Sequence, residues 1–164
     1  MNGELIHWGA VVVVSYLLGA IPTAYLVAKA RGIDIFEVGS GNMGATNVAR
    51  AMSLGWGIAV WLLDTGKGVV AILVARLLLP DSSLATATAV AALMAIIGHN
   101  WSIFVARLTG RLRGGKGASI AFGAMLFIAP HVVVGISVIG GAILALTRYV
   151  SLTVLVMFGV ATAW

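Results

Sequence analysis

Cysteine is absent from the 164 residues, so disulfides, thiolate metal sites and cysteine nucleophiles are excluded. Charge is scarce as well: 9% of residues are Asp, Glu, Lys or Arg, against about 25% in a soluble domain. Hydrophobic residues make up 61%. A charge deficit spread along the whole chain means that lipid is the main solvent. There is room for one membrane domain, residues 1–164, and none for a soluble appendage. A basic start is also missing. The opening MNGELIHW carries Glu4 and no Lys or Arg, so the first apolar stretch reads as a retained span and not as a secretory signal peptide. A net charge of +5 would suggest nucleic acid in a soluble protein. Here the charges sit between apolar spans, so topology explains them and no nucleic-acid partner is expected.

Uncharged windows give an all-α, polytopic membrane bundle. Leu5 to Ala28 and Ser82 to Ala106 are each long enough to cross a bilayer, which takes roughly 20 residues. Ala51 to Leu79 is long enough too, although Asp64, Lys67 and Arg76 interrupt it. Gly117 to Thr147 is uncharged, and Pro130-His131 near its middle can break it into two short helices. Another span begins after Arg148. Lys29, Arg31, Arg50, Arg107, Arg111, Arg113, Lys116 and Arg148 fall in alternate loops, as the positive-inside rule asks of cytosolic ones. That places the N-terminus and Pro80-Asp81-Ser82-Ser83 outside. His7 and His131 then lie toward the outer interface. Trp8, Trp56, Trp61, Trp101 and Trp164 read as membrane anchors or packing residues.

Two loops are too unusual to be plain connectors. The first runs Gly39-Ser40-Gly41-Asn42-Met43-Gly44-Ala45-Thr46-Asn47, followed by Arg50. It contains a formal GxGxxG with Asp64 twenty residues after Gly44, but a dinucleotide site needs a strand before it and a βαβ frame around it. Membrane spans flank it instead. A flexible turn would not need Ser40, Asn42, Thr46, Asn47 and Arg50 packed together. Glycines let successive N–H groups face one concavity that attracts anions. Neutral donors and the planar fork of Arg50 add to this. The second loop, Gly110-Arg111-Leu112-Arg113-Gly114-Gly115-Lys116-Gly117, nearly spells a P-loop, but Gly117 stands where a magnesium-binding hydroxyl belongs. An ATPase is therefore not expected. A basic loop for topology explains the arginines. It does not explain Gly-Gly-Lys-Gly, which can cradle phosphate.

Asp64 and Lys67, at i and i+3, share a helix face and can pair. Facing lipid at the bilayer centre, each would cost about 2.5–3.5 kcal/mol, so they should face the bundle interior. Either a structural ion pair or a site contact fits. His99, in Gly98-His99-Asn100-Trp101, falls near the cytosolic end of its span between the two loops. It reads as an interfacial histidine or, given that placement, as a site residue.

Together these segments resemble a family. Val38 to Arg50 resembles the first signature loop of the bacterial acyl-phosphate:glycerol-3-phosphate acyltransferases, the PlsY family. Leu62 to Gly68, Gly98 to Trp101 with Gly114 to Gly117, and Arg148 to Leu152 resemble further segments in family order. The resemblance implies a seven-helix membrane enzyme of the bacterial plasma membrane, with its site at the cytosolic face and without metal or cofactor. The substrates it implies are acyl phosphate and glycerol 3-phosphate, and the product is 1-acyl-glycerol 3-phosphate. Membrane lipids and the enzyme that makes acyl phosphate are the implied partners. Lys116, Arg50, Ser40 and His99 are the expected catalytic residues. Gly39, Gly41, Asn42, Gly44, Thr46, Asn47, Lys67, Gly114, Gly115 and Ser151 are the expected substrate contacts. Unrelated acyl-CoA-type enzymes use HxxxxD, and none of the three histidines here has an acid five residues later. Ser102 stands where the family pattern has proline, the connection from Trp101 to Gly114 is longer, and Ala118-Ser119-Ile120 replaces Val-Ala-Thr. The chain stops at Trp164, so the family's last helix and polar tail are expected to be missing. The alternatives are an anion transporter lined by these loops, for which no internal repeat speaks, and an inactive phosphate-binding relative.

Overall fold

The computed structural model describes residues 2–163. Trp164, one of the expected anchors, lies outside the described residues. The described residues are all-helical apart from loops and one 3₁₀ turn, Asp81–Ser83. The helices are α1 (Asn2–Ala20), α2 (Thr23–Lys29), α3 (Ala45–Ala51), α4 (Leu54–Leu78), α5 (Leu84–Asn100), α6 (Ile103–Thr109), α7 (Ala118–Ile128), α8 (Pro130–Thr147) and α9 (Val150–Ala163). Among the described residues, four helical stretches are long and apolar enough to cross a membrane: Gly3–Lys29, Leu54–Leu78, Asp81–Thr109 and Pro130–Thr147. They fall on the apolar windows of the sequence, including the one that Asp64, Lys67 and Arg76 interrupt. α4 is helical throughout despite Gly55, Gly57, Gly66 and Gly68. Glycine costs about 1 kcal/mol in a helix in water. In lipid the backbone must satisfy itself, and that requirement overrides propensity.

The described residues fall into two compact units that divide after Ala124. In the first, α1 packs against α5 and α4, α4 also packs against α5, and α3 lies on α4. Gly98 lets α1 and α5 approach closely: a Cβ there would overlap the Tyr16 carbonyl oxygen of α1. In the second unit, α8 and α9 pack on one another across a sharp turn at Arg148, whose φ of 59° is left-handed. Proline opens α8 at Pro130, at the expected break.

Two spans expected as single helices are broken. The first breaks at Ile21-Pro22, because Pro22 has no N–H to donate. The third breaks at Trp101-Ser102, where the Ser102 hydroxyl caps α6 by accepting from Val105 N at 3.2 Å. Irregular backbone at membrane depth persists only where protein satisfies it. Here the two breaks satisfy each other. Ser102 Oγ donates to Ala20 O at 2.5 Å, and Tyr16 Oη donates to Trp101 O at 2.8 Å. Lys67 Nζ donates to Ile21 O at 2.6 Å. The departure from the family pattern at Ser102 is thus a helix cap and an interhelical tie.

Candidate active site

The loop from α2 to α3 is folded down by apolar residues. Ile35, Met43 and Val48 are fully buried and join Ala24, Tyr25, Ala28, Val60 and Val105 in one core. Burying a methionine side chain contributes about 1.5–3 kcal/mol, which anchors a segment otherwise made of glycine and polar residues. Asp34 Oδ1 accepts from Phe36 N at 2.9 Å and starts the turn. Gly39 and Gly41 have φ of 56° and 64°, a conformation that side chains strongly disfavour.

Asn47 holds the loop in shape. Its Oδ1 accepts from Ser40 N at 2.9 Å. Its Nδ2 lies at 3.0 Å from the carbonyl oxygens of Ile35, Val38 and Asn42. The residue is buried at 2% exposure. Asn47, expected as a substrate contact, has both ends of its amide hydrogen-bonded to the loop backbone. Asn42 Nδ2 donates to Ser40 O at 3.3 Å, leaving its own carbonyl to Asn47. Gly44 is the residue before α3, and Thr46 is half-buried in the first turn of that helix.

The second glycine loop lies directly on the first. Met43 N donates to Gly114 O at 3.4 Å, and Gly115 N donates to His99 O at 3.0 Å. Arg113 stacks its guanidinium over the Phe36 ring at 3.6 Å from the centroid, a cation–π contact between the two loops. Arg113 therefore packs as well as carrying charge. A Cβ on Gly114 would overlap His99 O, and one on Gly115 would overlap His99 Nε2. His99 itself is buried at 3% exposure beneath this loop. Read from the sequence as an interfacial histidine or a site residue, His99 has its ring under the backbone of Gly115. The long connection before Gly114 is α6, closed by Gly110 in the left-handed region.

Three of the expected catalytic side chains are exposed: Ser40 and Lys116 on these joined loops, and Arg50 on α3. Neither Arg50 nor Lys116 has an acidic partner among the described residues. Arg50 sits in the last turn of α3. Lys67 lies elsewhere. It pairs with Asp64 Oδ1 at 2.5 Å, and Thr23 Oγ1 donates to the same oxygen at 2.9 Å. Together with the bond to Ile21 O, this makes Lys67 a clamp on the α1–α2 break. Ser151 is exposed in the first turn of α9, in the second unit. A recess of about 290 Å³ is lined by Tyr25, Lys29, Gly32, Ile33 and Asp34, none of them an expected site residue. Sequence reasoning missed Met43, Thr23 and Tyr16. Met43 alone carried a signal, as the one large apolar side chain in a run of glycine and polar residues.

The profile of the glycerol-3-phosphate acyltransferase family matches residues 9–164. The chain belongs to this family. A glycerol-3-phosphate acyltransferase of Thermus thermophilus is 46% identical over 138 residues, which cover 84% of this chain and 65% of that protein. This chain therefore spans about two thirds of that relative's length. Among solved structures, the glycerol 3-phosphate form of PlsY, an integral membrane glycerol 3-phosphate acyltransferase, matches with a TM-score of 0.80 at 35% identity, over 92% of this chain and 72% of that one. Its lysophosphatidic acid form matches with a TM-score of 0.76 at 34% identity, over 92% and 71%. Family, helical fold and fold neighbour agree on a multi-pass membrane protein.

Proposed function

We propose that this protein transfers an acyl group from acyl phosphate to glycerol 3-phosphate, releasing phosphate and 1-acyl-glycerol 3-phosphate at the cytosolic face of a bacterial plasma membrane, with the N-terminus outside. The observation that carries the reading is the junction of the two glycine loops, where Ser40 and Lys116 stand exposed, with Arg50 exposed on the helix that follows the first loop; neither cation has an acidic partner among the described residues. Both substrates bear phosphate, and exposed cations among backbone amides are what phosphate binding requires. The solved relative is described with glycerol 3-phosphate in one form and lysophosphatidic acid in the other, which fits this substrate and this product.

The chemistry needs no covalent enzyme intermediate, because acyl phosphate is already an activated mixed anhydride. The glycerol hydroxyl oxygen bonds to the acyl carbonyl carbon, the carbon–oxygen bond to phosphate breaks, and inorganic phosphate leaves. With the His99 ring covered by Gly115, a substrate phosphate oxygen takes the hydroxyl proton. The protein aligns the reactants and stabilises the developing negative charge. Lys116 serves the leaving phosphate, Arg50 the phosphate of glycerol 3-phosphate, and Ser40 with Asn42 and Thr46 the acyl phosphate. Asn47 shapes the loop that presents them.

The test is phosphate release from acyl phosphate by the purified full-length protein, with and without glycerol 3-phosphate, and with acyl-CoA and acyl carrier protein as rival donors. Lys116→Ala should insert normally and lose on the order of 10²–10³ in rate. Arg50→Lys keeps the charge but loses the bidentate fork, so it should fail as well. Arg107→Ala should be nearly silent. Preference for acyl-CoA would refute the donor assignment. Release independent of glycerol 3-phosphate would refute the acceptor.

A further inference from the structure

We propose that His99 is a positioning residue for Lys116: its imidazole occupies the space of a side chain at Gly115 and thereby sets the path of the Gly114–Gly117 segment. The proposal rests on the acyltransferase reading for its kinetic arm alone. His99 is fixed near the end of α5, where Gly98 locks that helix against α1. Its carbonyl oxygen accepts from Gly115 N at 3.0 Å, so main chain and ring hold the same residue from below. A Cβ at Gly115 would collide with Nε2 of the ring and would also lie 2.9 Å from Met43 O. The ring therefore sits in the angle between the two loops, where Met43 N bonds to Gly114 O. Lys116 is the next residue along, and it is exposed.

The surroundings of the ring argue against direct chemistry. A histidine base is oriented by a third group bonded to its far nitrogen. His99 Nδ1 is buried and has no hydrogen-bond partner among the described residues. Shape, and not a relay, is what this imidazole supplies. The glycine at 115 and the histidine at 99 form one fitted pair: neither can change alone without moving Lys116. Displacing a charged group by about 1 Å can cost on the order of 10²-fold in rate.

The experiment uses the full chain in lipid nanodiscs and reads two quantities. One is deuterium exchange at the amide of Gly115. The other is kcat/KM for acyl transfer to glycerol 3-phosphate. His99→Ala should speed exchange at Gly115 and lower kcat/KM by on the order of 10². His99→Gln, whose amide nitrogen reaches the Nε2 position, should recover most of both, and it carries the test if His99→Ala does not insert. Because His99 acts through Lys116, the double variant His99→Ala/Lys116→Ala should be no slower than Lys116→Ala. The proposal is overturned if His99→Gln is inactive while Gly115 exchanges as in the wild type, since the ring would then act on substrate itself. Losses that multiply in the double variant overturn it equally. A wild type that transfers no acyl group sinks the acyltransferase reading, while exchange at Gly115 still decides the role of His99.

Discussion

Neutralising Lys67 should be far more damaging than removing an ordinary membrane lysine. Asp64 is 1% exposed, and its Oδ1 has two donors: Lys67 Nζ at 2.5 Å and Thr23 Oγ1 at 2.9 Å. Lys67→Met leaves a buried carboxylate facing one hydroxyl. Breaking a buried ion pair from one side costs about 3–5 kcal/mol. A domain has only about 5–15 kcal/mol of stability in total. Asp64→Leu strands the ammonium in turn, with Ile21 O as its remaining partner. The double variant Asp64→Leu/Lys67→Met has no buried charge. Ile21 O loses its ammonium donor here as in Lys67→Met alone, so that loss cancels in the comparison; what the double variant adds is the Thr23 hydroxyl without an acceptor, a cost of about 1–3 kcal/mol. The two single losses should therefore exceed the double loss by at least about 3 kcal/mol, a coupling energy read from a double-mutant cycle. The assay is reversible unfolding in mixed micelles, followed by helical circular dichroism. Single variants within about 0.5 kcal/mol of wild type would mean that the two charges are solvated, and strictly additive losses would mean that they do not interact. Either result refutes the clamp on the α1–α2 break.

Asn47→Ala removes one accepted hydrogen bond and the two N–H donors that three carbonyls share, at about 0.5–1.5 kcal/mol per bond, so the loop between α2 and α3 should become protease-sensitive and the melting temperature should fall; wild-type resistance would contradict the amide's role. Gly98→Ala pushes a methyl into α1 and should cost about 1–3 kcal/mol by overpacking, whereas Gly9→Ala, which meets nothing within 4 Å, should melt like wild type. For sidedness, single cysteines belong at the exposed Glu37, Leu112 and Asp81 and not at Gly41 or Gly115, where a side chain would strain or clash. An impermeant thiol reagent on intact cells should label Asp81→Cys alone, and outside labelling of Glu37→Cys or Leu112→Cys would reverse the topology.

Much of this protein is written locally. The bilayer acts as solvent on each stretch of chain separately, so span positions follow from length and apolar composition, and the break at Pro130 follows from a missing N–H; the break at Pro22 has the same cause, although Leu5 to Ala28 reads as one span. The glycine loops were legible for the same reason, since Gly39 and Gly41 and the run from Gly114 to Gly117 stand out from any apolar background. What each polar side chain in those loops does was not legible. The donors and acceptor that suit Asn47 to a phosphate also suit it to four backbone groups, and composition is the same in both cases. His99 reads as an interfacial or site histidine by its place in the span, and only the packing shows that α5 delivers it under a loop that begins more than ten residues later. The pairing of Met43 with Gly114, and of Ser102 with Ala20, joins segments distant along the chain. Such contacts depend on which helices touch and at what height. Only the packed structure decides that, because hydrogen-bonding partners are chosen by proximity in space and not by spacing along the sequence.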